Sequence, residues 1–286
     1  MRCSFFACVL LACGGDDDVA KPQTDASLPD TSLPDTSLVP DTSDAYVDAG
    51  PEKVVWAHTA SKLFRFDPDS RALTLVGTFS CAADLVLNIA VNADQQIYGV
   101  TSQGLVTIDR KTAACFPIAS GVYPHALAFV PKGTFDPDKE TLVGYRFAQY
   151  VRINETTGEQ TPVGSMNPNI TNLYFSVSGD LFALGDGHLF VTVTNGSKGD
   201  QIVEANPKSG KVLSVVGDTN ALSLLGFAQW AGTGYAFGAD GHAYAVDLKD
   251  AGLSQVYPPL DGGADAEMLS FTGAGVTTRA PISIDP

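Results

Sequence analysis

Few side chains in this sequence have the chemistry for catalysis or metal binding. It has four histidines, His58, His125, His188 and His242, and imidazole can ligate a metal or move a proton near neutrality. "GDGHLF" around His188 and "ADGHAY" around His242 look like twins, but each reads as the residue after an Asp-Gly hairpin turn. His58 ends an apolar run with no polar partner near it in sequence. His125, in "YPHALAF", opens another run, and Asp84 and Glu267 open runs at similar places. Asp84, His125 and Glu267 are therefore the candidate binding cluster; the competing reading is three independent solvated loop residues. No G-x-S-x-G elbow, H-E-x-x-H pair or phosphate loop occurs. No catalytic residue, metal site or cofactor is assigned.

The five cysteines lie in two groups. Cys3, Cys8 and Cys13 sit in "MRCSFFACVLLAC", where Arg2 precedes an apolar run from Phe5 to Ala12. A membrane-spanning helix needs about 20 apolar residues, and this run is far shorter. It fits the h-region of a signal peptide, with a buried strand as the alternative. Leu10-Leu11-Ala12-Cys13, followed by Gly14, resembles the lipobox of bacterial lipoproteins. Ala12 is small, as the signal peptidase requires, while Leu11 is less usual and the signal is short. The resemblance implies cleavage after residue 12, acylation of Cys13 and a membrane partnership through that lipid anchor. Several acyl chains on one cysteine hold far better than one. Gly14, in place of an aspartate after the cysteine, implies the outer membrane. With Cys13 acylated, Cys81 and Cys115 remain as an even pair in an oxidising compartment. They are read as a disulfide, with two free buried thiols as the alternative.

Residues 13–50 read as an acidic, disordered linker. They hold nine aspartates against one lysine, and S-L-P-D-T recurs in "SLPDTSLPDTSLVPDTSD". Repeated proline blocks helix and central strand, repeated aspartate repels itself, and too little apolar mass is present for a core. A solvated stalk is the simplest reading, with a docking motif or cation binder behind it. The formal net charge of the chain is −15, which argues against a nucleic-acid partner.

From residue 51 to 280 the pattern is that of strands: short apolar, β-branched and aromatic runs between Gly, Asp and Asn turns. Residues 87–120 show one unit of four strands, Asn88–Val91, Ile97–Thr101, Leu105–Asp109 and Cys115–Ala119. The third strand of each unit ends in an acid or amide: Asp67, Asp109, Asn154, Asn206 and Asp247, spaced by 42, 45, 52 and 41 residues. Such a side chain can cap its own turn by accepting backbone N–H bonds a residue or two later. Four strands at this period indicate a β-propeller. Five markers predict five blades. "VVWAHT" and "KLFRFD" match second and third strands and the C-terminal "EMLSFT" a first strand, so strands from both chain ends should close the ring. An antiparallel sandwich is the runner-up. The third full unit offers one strand too many; Leu181–Leu184 is taken as its innermost strand, Leu189–Thr194 as the second, and Asn195-Gly196 as a hairpin turn. In this register His188 follows a first-to-second-strand turn and His242 a second-to-third-strand turn, on opposite faces. Residues 281–286 form a C-terminal tail.

Residues 53–279 resemble uncharacterised, secreted bacterial propeller-repeat proteins, through blades of the form "LYxID…TG…VG…IAxxxxGxLYG". The resemblance implies fold more than function, because propellers host many activities. The expected role is a membrane-anchored binding or scaffolding module for an unknown protein or glycan ligand. The alternative is an envelope hydrolase or lyase acting on a carbohydrate or lactone at the channel mouth. A third option is a purely structural envelope protein.

Overall fold

The computed structural model describes residues 50–81, 84–167, 174–196, 199–257 and 269–283. Cys13, Glu267 and residues 1–49, which include the segments read as a signal peptide and most of the acidic linker, lie outside them. The described residues form twenty strands in five antiparallel four-stranded sheets. This is the all-β five-bladed propeller expected from the markers.

Blade 1 contains β1 (Val55–Thr59), β2 (Lys62–Phe66), β3 (Leu73–Thr78) and the last strand, β20 (Phe271–Gly275). Blade 2 runs through β4 (Val86–Val91), β5 (Ile97–Thr101), β6 (Gly104–Ile108) and β7 (Cys115–Ser120). Blade 3 has β8 (Ala126–Val130), β9 (Thr141–Arg146), β10 (Gln149–Ile153) and β11 (Gln160–Ser165). Blade 4 comprises β12 (Ser176–Ala183), β13 (Leu189–Thr194), β14 (Gln201–Ala205) and β15 (Val212–Asp218). Blade 5 ends the series with β16 (Leu224–Trp230), β17 (Thr233–Gly238), β18 (Ala243–Val246) and β19 (Leu253–Tyr257).

Burial follows position in the blade. The inner strands are covered on both faces by neighbouring blades, so β8 (ALAFV) is buried at every position. The outermost strands face water, and β3 and β7 carry exposed residues in mid-strand. The ring closes where β1 pairs with β20, setting Trp56 opposite Gly275 and Ala57 opposite Ala274. The closing strand begins at Phe271, further along the chain than "EMLSFT" suggested.

The five markers make the same turn. Asp67 Oδ1 accepts the N–H groups of Asp69 (2.8 Å) and Ser70 (3.1 Å), and Asp109 Oδ1 those of Lys111 and Thr112 (both 2.8 Å). Asn154 and Asn206 repeat the pattern, and Asp247 accepts from Lys249 at 2.9 Å. The donors are thus two and three residues on, one further than expected. Four residues after each marker the chain takes a positive φ, at Arg71, Ala113, Gly158, Gly210 and Ala251. That residue's N–H returns to the marker's own carbonyl at 2.7–2.9 Å. Tyrosines bolt these turns to other parts of the ring: Tyr145 and Tyr150 of blade 3 donate to the carbonyls of Gly210 (2.6 Å) and Pro207 (3.0 Å) in blade 4. At Gly210 a Cβ would collide with the Tyr150 side chain, and φ is +69°. Glycine serves both needs there.

The surplus strand of the third full unit is resolved by a bulge. Its innermost strand is the single β12, longer than Leu181–Leu184, whose pairing with β13 shifts between Val177 and Leu181. The bulge carries Ser178, Gly179 and Asp180 to the propeller axis.

Candidate functional site

The innermost strands, β20, β4, β8, β12 and β16, all run the same way along the axis. Connections into each blade and second-to-third-strand turns therefore share one face, here the entry face. First-to-second and third-to-fourth-strand turns share the other, the exit face.

Asp84 and His125, which open strands at the start of their blades, lie on the entry face, and they serve separate blades. Asp84 accepts a hydrogen bond from Ser102 Oγ at 3.2 Å within blade 2. His125 is half-buried with its ring edge-on to Phe147, at 6.1 Å between centroids. Burial, with a smaller contribution from Arg146, lowers its pKa. No hydrogen bond or ring contact joins Asp84 to His125 among the described residues. Glu267 lies outside those residues. Cys81 and Cys115 are joined by a disulfide with Cα atoms 5.1 Å apart. It links the connection entering blade 2 to that blade's outermost strand.

The other histidines divide as their register implied. His188 lies on the exit face, with Nδ1 2.7 Å from Glu204 Oε1. His242 lies on the entry face, 3.3 Å from Asp240 Oδ2 but without hydrogen-bond geometry. His58 does have partners. It is fully buried on β1, with Nδ1 2.9 Å from the Thr59 carbonyl and 3.1 Å from Thr272 Oγ1. Burial lowers its pKa to about 4. Its neutral form is therefore the folded form at pH 7.

Two carboxylates organise the axis and its exit mouth. Asp180, at the axis, is completely buried. Its Oδ1 accepts from Leu181 N (2.8 Å), and its Oδ2 from Ala274 N (3.1 Å) and Phe227 N (3.3 Å). Asn88 of blade 2 adds a side-chain bond. One carboxyl thus ties blade 4 to blades 5, 1 and 2. Burial drives its pKa well up, against the pull of those donors. Next to it, a Cβ at Gly179 would strike the Leu224 carbonyl, so β12 and β16 approach this closely only through glycine.

Glu140 is the second carboxylate. It ends the long connection 131–140 between β8 and β9, which is pinned locally by Asp136 Oδ1 accepting from Asp138 N (2.9 Å) and Lys139 N (3.2 Å). Glu140 Oε2 accepts from Ala93 N at 2.7 Å, and Oε1 accepts from the Thr278 hydroxyl. The donors belong to blade 2 and to the segment following β20, so Glu140 draws three blades together on the exit face. Burial, reinforced by the charge of Asp94, raises its pKa to about 7, while the Ala93 bond opposes the shift.

Glu140 borders two adjoining cavities. The larger, about 610 Å³, lies at the axial mouth between Asp94, Lys132, Gly185, Thr278 and Arg279. The smaller, about 280 Å³, lies along blade 3 between Phe135, Arg152, Glu155 and Glu159. Both are walled by Lys139, Glu140 and Glu155, so they adjoin at these side chains and together form the exit-face groove considered below. Arg152 stacks over Phe135 at 5.1 Å. The groove offers fixed hydrogen-bond acceptors and cations in a concave surface of mixed polar and apolar character. Among the described residues no group of three metal-ligating side chains converges.

Sequence reasoning passed over both carboxylates. The only signal for Asp180 was an acid inside an apolar run, in the unit with a surplus strand. The signal for Glu140 was a charged connection longer than those at 92–96 and 184–188.

No protein-family model matches the chain, and no curated protein matches it. Among solved structures, one described under "the de novo evolutionary emergence of a symmetrical protein" is 15% identical with a TM-score of 0.42, covering 81% of this chain and 99% of that one. BamB from Moraxella catarrhalis is 15% identical with a TM-score of 0.32, over 76% of this chain and 62% of its own. An auxiliary nutrient binding protein from Bacteroides thetaiotaomicron is 10% identical with a TM-score of 0.41, over 72% and 54%. The chain thus spans little more than half of the last two, and the likenesses leave function to the chain's own geometry.

Proposed function

We propose that this protein is a lipid-anchored envelope module whose propeller binds a polar ligand in the exit-face groove. The observation that carries the binding role is that groove: a concave, mixed-charge depression at one mouth of a ring whose axis is occupied by Asp180. Ligand sites favour such preformed concavities with a few fixed polar groups, and Glu140 is held in place by two donors from other blades. The anchor rests on the lipobox-like Leu10-Leu11-Ala12-Cys13. Among the described residues no helix is long and apolar enough to cross a membrane. The outer membrane, by way of Gly14, is the proposed location.

Two experiments test the two halves. Cells expressing the full chain or its Cys13→Ala variant are labelled with palmitate and fractionated. The wild type should carry label and sediment with membranes, and the variant should be soluble. Label or sedimentation that survives in the variant contradicts the anchor. Ligand capture by the full chain, lost in a Lys139→Ala, Glu155→Ala double variant, supports the groove; capture indifferent to that change contradicts it.

A second reading, a hydrolase, draws on one observation. A carboxyl whose pKa lies near neutrality is suited to general acid chemistry, and Glu140 next to Asp94 is such a group. Turnover of a bound oligosaccharide, abolished in Glu140→Gln, would favour this reading; binding without turnover favours the module.

A further inference from the structure

We infer that the exit-face groove takes a linear, uncharged oligosaccharide; this rests on the groove being the ligand site and names its ligand class. The first argument is shape. The larger cavity alone has the volume of a typical small-ligand pocket. The smaller one extends it in one direction, from the axis along blade 3, with Lys139, Glu140 and Glu155 at the junction. A compact ligand would use one lobe and leave the other empty, whereas a chain of linked units spans both.

The second argument is charge. In the larger lobe Asp94, Asp138 and Glu155 face Lys132, Lys139 and Arg279. In the smaller lobe Asp136 and Glu159 accompany Arg152. A polyanion would meet the acids and a polycation the bases, each paying desolvation and repulsion at every second contact. Sugar hydroxyls both donate and accept. They can donate to the carboxylates and accept from the ammonium and guanidinium groups, and hydrogen bonds to ionised partners are the stronger kind.

The third argument is the wall itself. Phe135, packed against the core of blades 3 and 4 and stacked by Arg152, gives the smaller lobe an apolar patch. Glu140 gives the junction an acceptor already oriented by Ala93 and Thr278. Groups fixed before binding lose little entropy when the ligand arrives. A polyhydroxylated chain with apolar C–H faces uses both.

The test is calorimetric titration of the full chain with pentasaccharides of three kinds. The neutral probes are cellopentaose, xylopentaose and maltopentaose; the acidic probe is pentagalacturonate; the basic probe is the chitosan pentamer. The expected result is binding of at least one neutral series, with affinity rising from dimer to pentamer. Lys139→Ala, at an exposed position, should weaken it about tenfold, as should Phe135→Ala. Binding of a charged pentamer alone, weakened by the same variants, overturns the ligand class and leaves the groove as the site. Neutral binding indifferent to both variants overturns the site as well. Absence of binding by every probe overturns the oligosaccharide assignment, and a peptide screen against the same variants then decides whether the groove binds anything.

Discussion

At the axis, Asp180 is sealed from solvent and three backbone N–H groups on three strands converge on it. At the exit mouth, Glu140 also joins blades distant in sequence, but it borders a cavity. Both carboxyls have raised pKa values, chiefly through burial. The contrast separates structure from function by access. A perturbed carboxyl with every neighbour inside the protein is a tie, while one that borders an open groove can also serve a ligand. A raised pKa alone does not distinguish them.

If the axis is a tie, removing it should cost most. Asp180→Ala strands three backbone donors in the core, and each buried donor left without a partner costs about 1–3 kcal/mol. At about 2–4 °C per kcal/mol for a domain of this size, the melting temperature should fall by roughly 10 °C or the chain should fail to fold. Asp180→Asn, which keeps an acceptor, should lose about half as much. Thermal unfolding followed by circular dichroism reads both, and equal losses would show that the acceptor is irrelevant.

Next in size is the disulfide. Cys81 and Cys115 close a loop of sequence separation 34, for which the chain-entropy account gives about 3–4 kcal/mol. Reduction should lower the melting temperature accordingly without altering ligand binding, since the bond lies away from the groove. A peptide map in which both thiols alkylate without reductant contradicts the bond.

The two acid-titrating regions then differ in sign. His58, fully buried with its pKa lowered from 6.5 to about 4, contributes stability that is present above pH 6.5. That contribution is lost as pH falls toward 4, and it amounts to about 3 kcal/mol across that window. Glu140, with its pKa raised from 4.5 to about 7, acts the opposite way. Its contribution is full below about pH 4.5 and is lost as pH rises through 7. Urea midpoints should therefore fall on the acid side through His58, and a His58→Gln variant should flatten that limb. Glu140→Gln should flatten the slope between pH 5 and 8 by only a degree or two in melting temperature, because solvent screens a partly exposed carboxylate. A steep loss in Glu140→Gln at pH 6 would make Glu140 a structural tie like Asp180.

The fold could be read from the sequence because its determinants are local. Asp67, Asp109, Asn154, Asn206 and Asp247 each cap a turn made within five residues, so the blade count and register are written in short segments. The site depends on distant partners. Glu140 meets donors 47 and 138 residues away, and Asp180 reaches across 94 residues to Ala274. Nothing near either residue in sequence announces those partners. Asp84 and His125 drew attention because they open strands, yet Ser102 and Phe147 engage them separately. The His188–His242 distinction could be made because it needed only strand order.

Whether the exit face is the working face can be settled by amide chemical-shift mapping of the full chain during titration with the neutral pentasaccharides. Shifts confined to Ala93, Lys132, Lys139, Glu155 and Thr278, with Asp84 and His125 unmoved, are the predicted result. Shifts centred on Asp84, His125 and the entry face would contradict it.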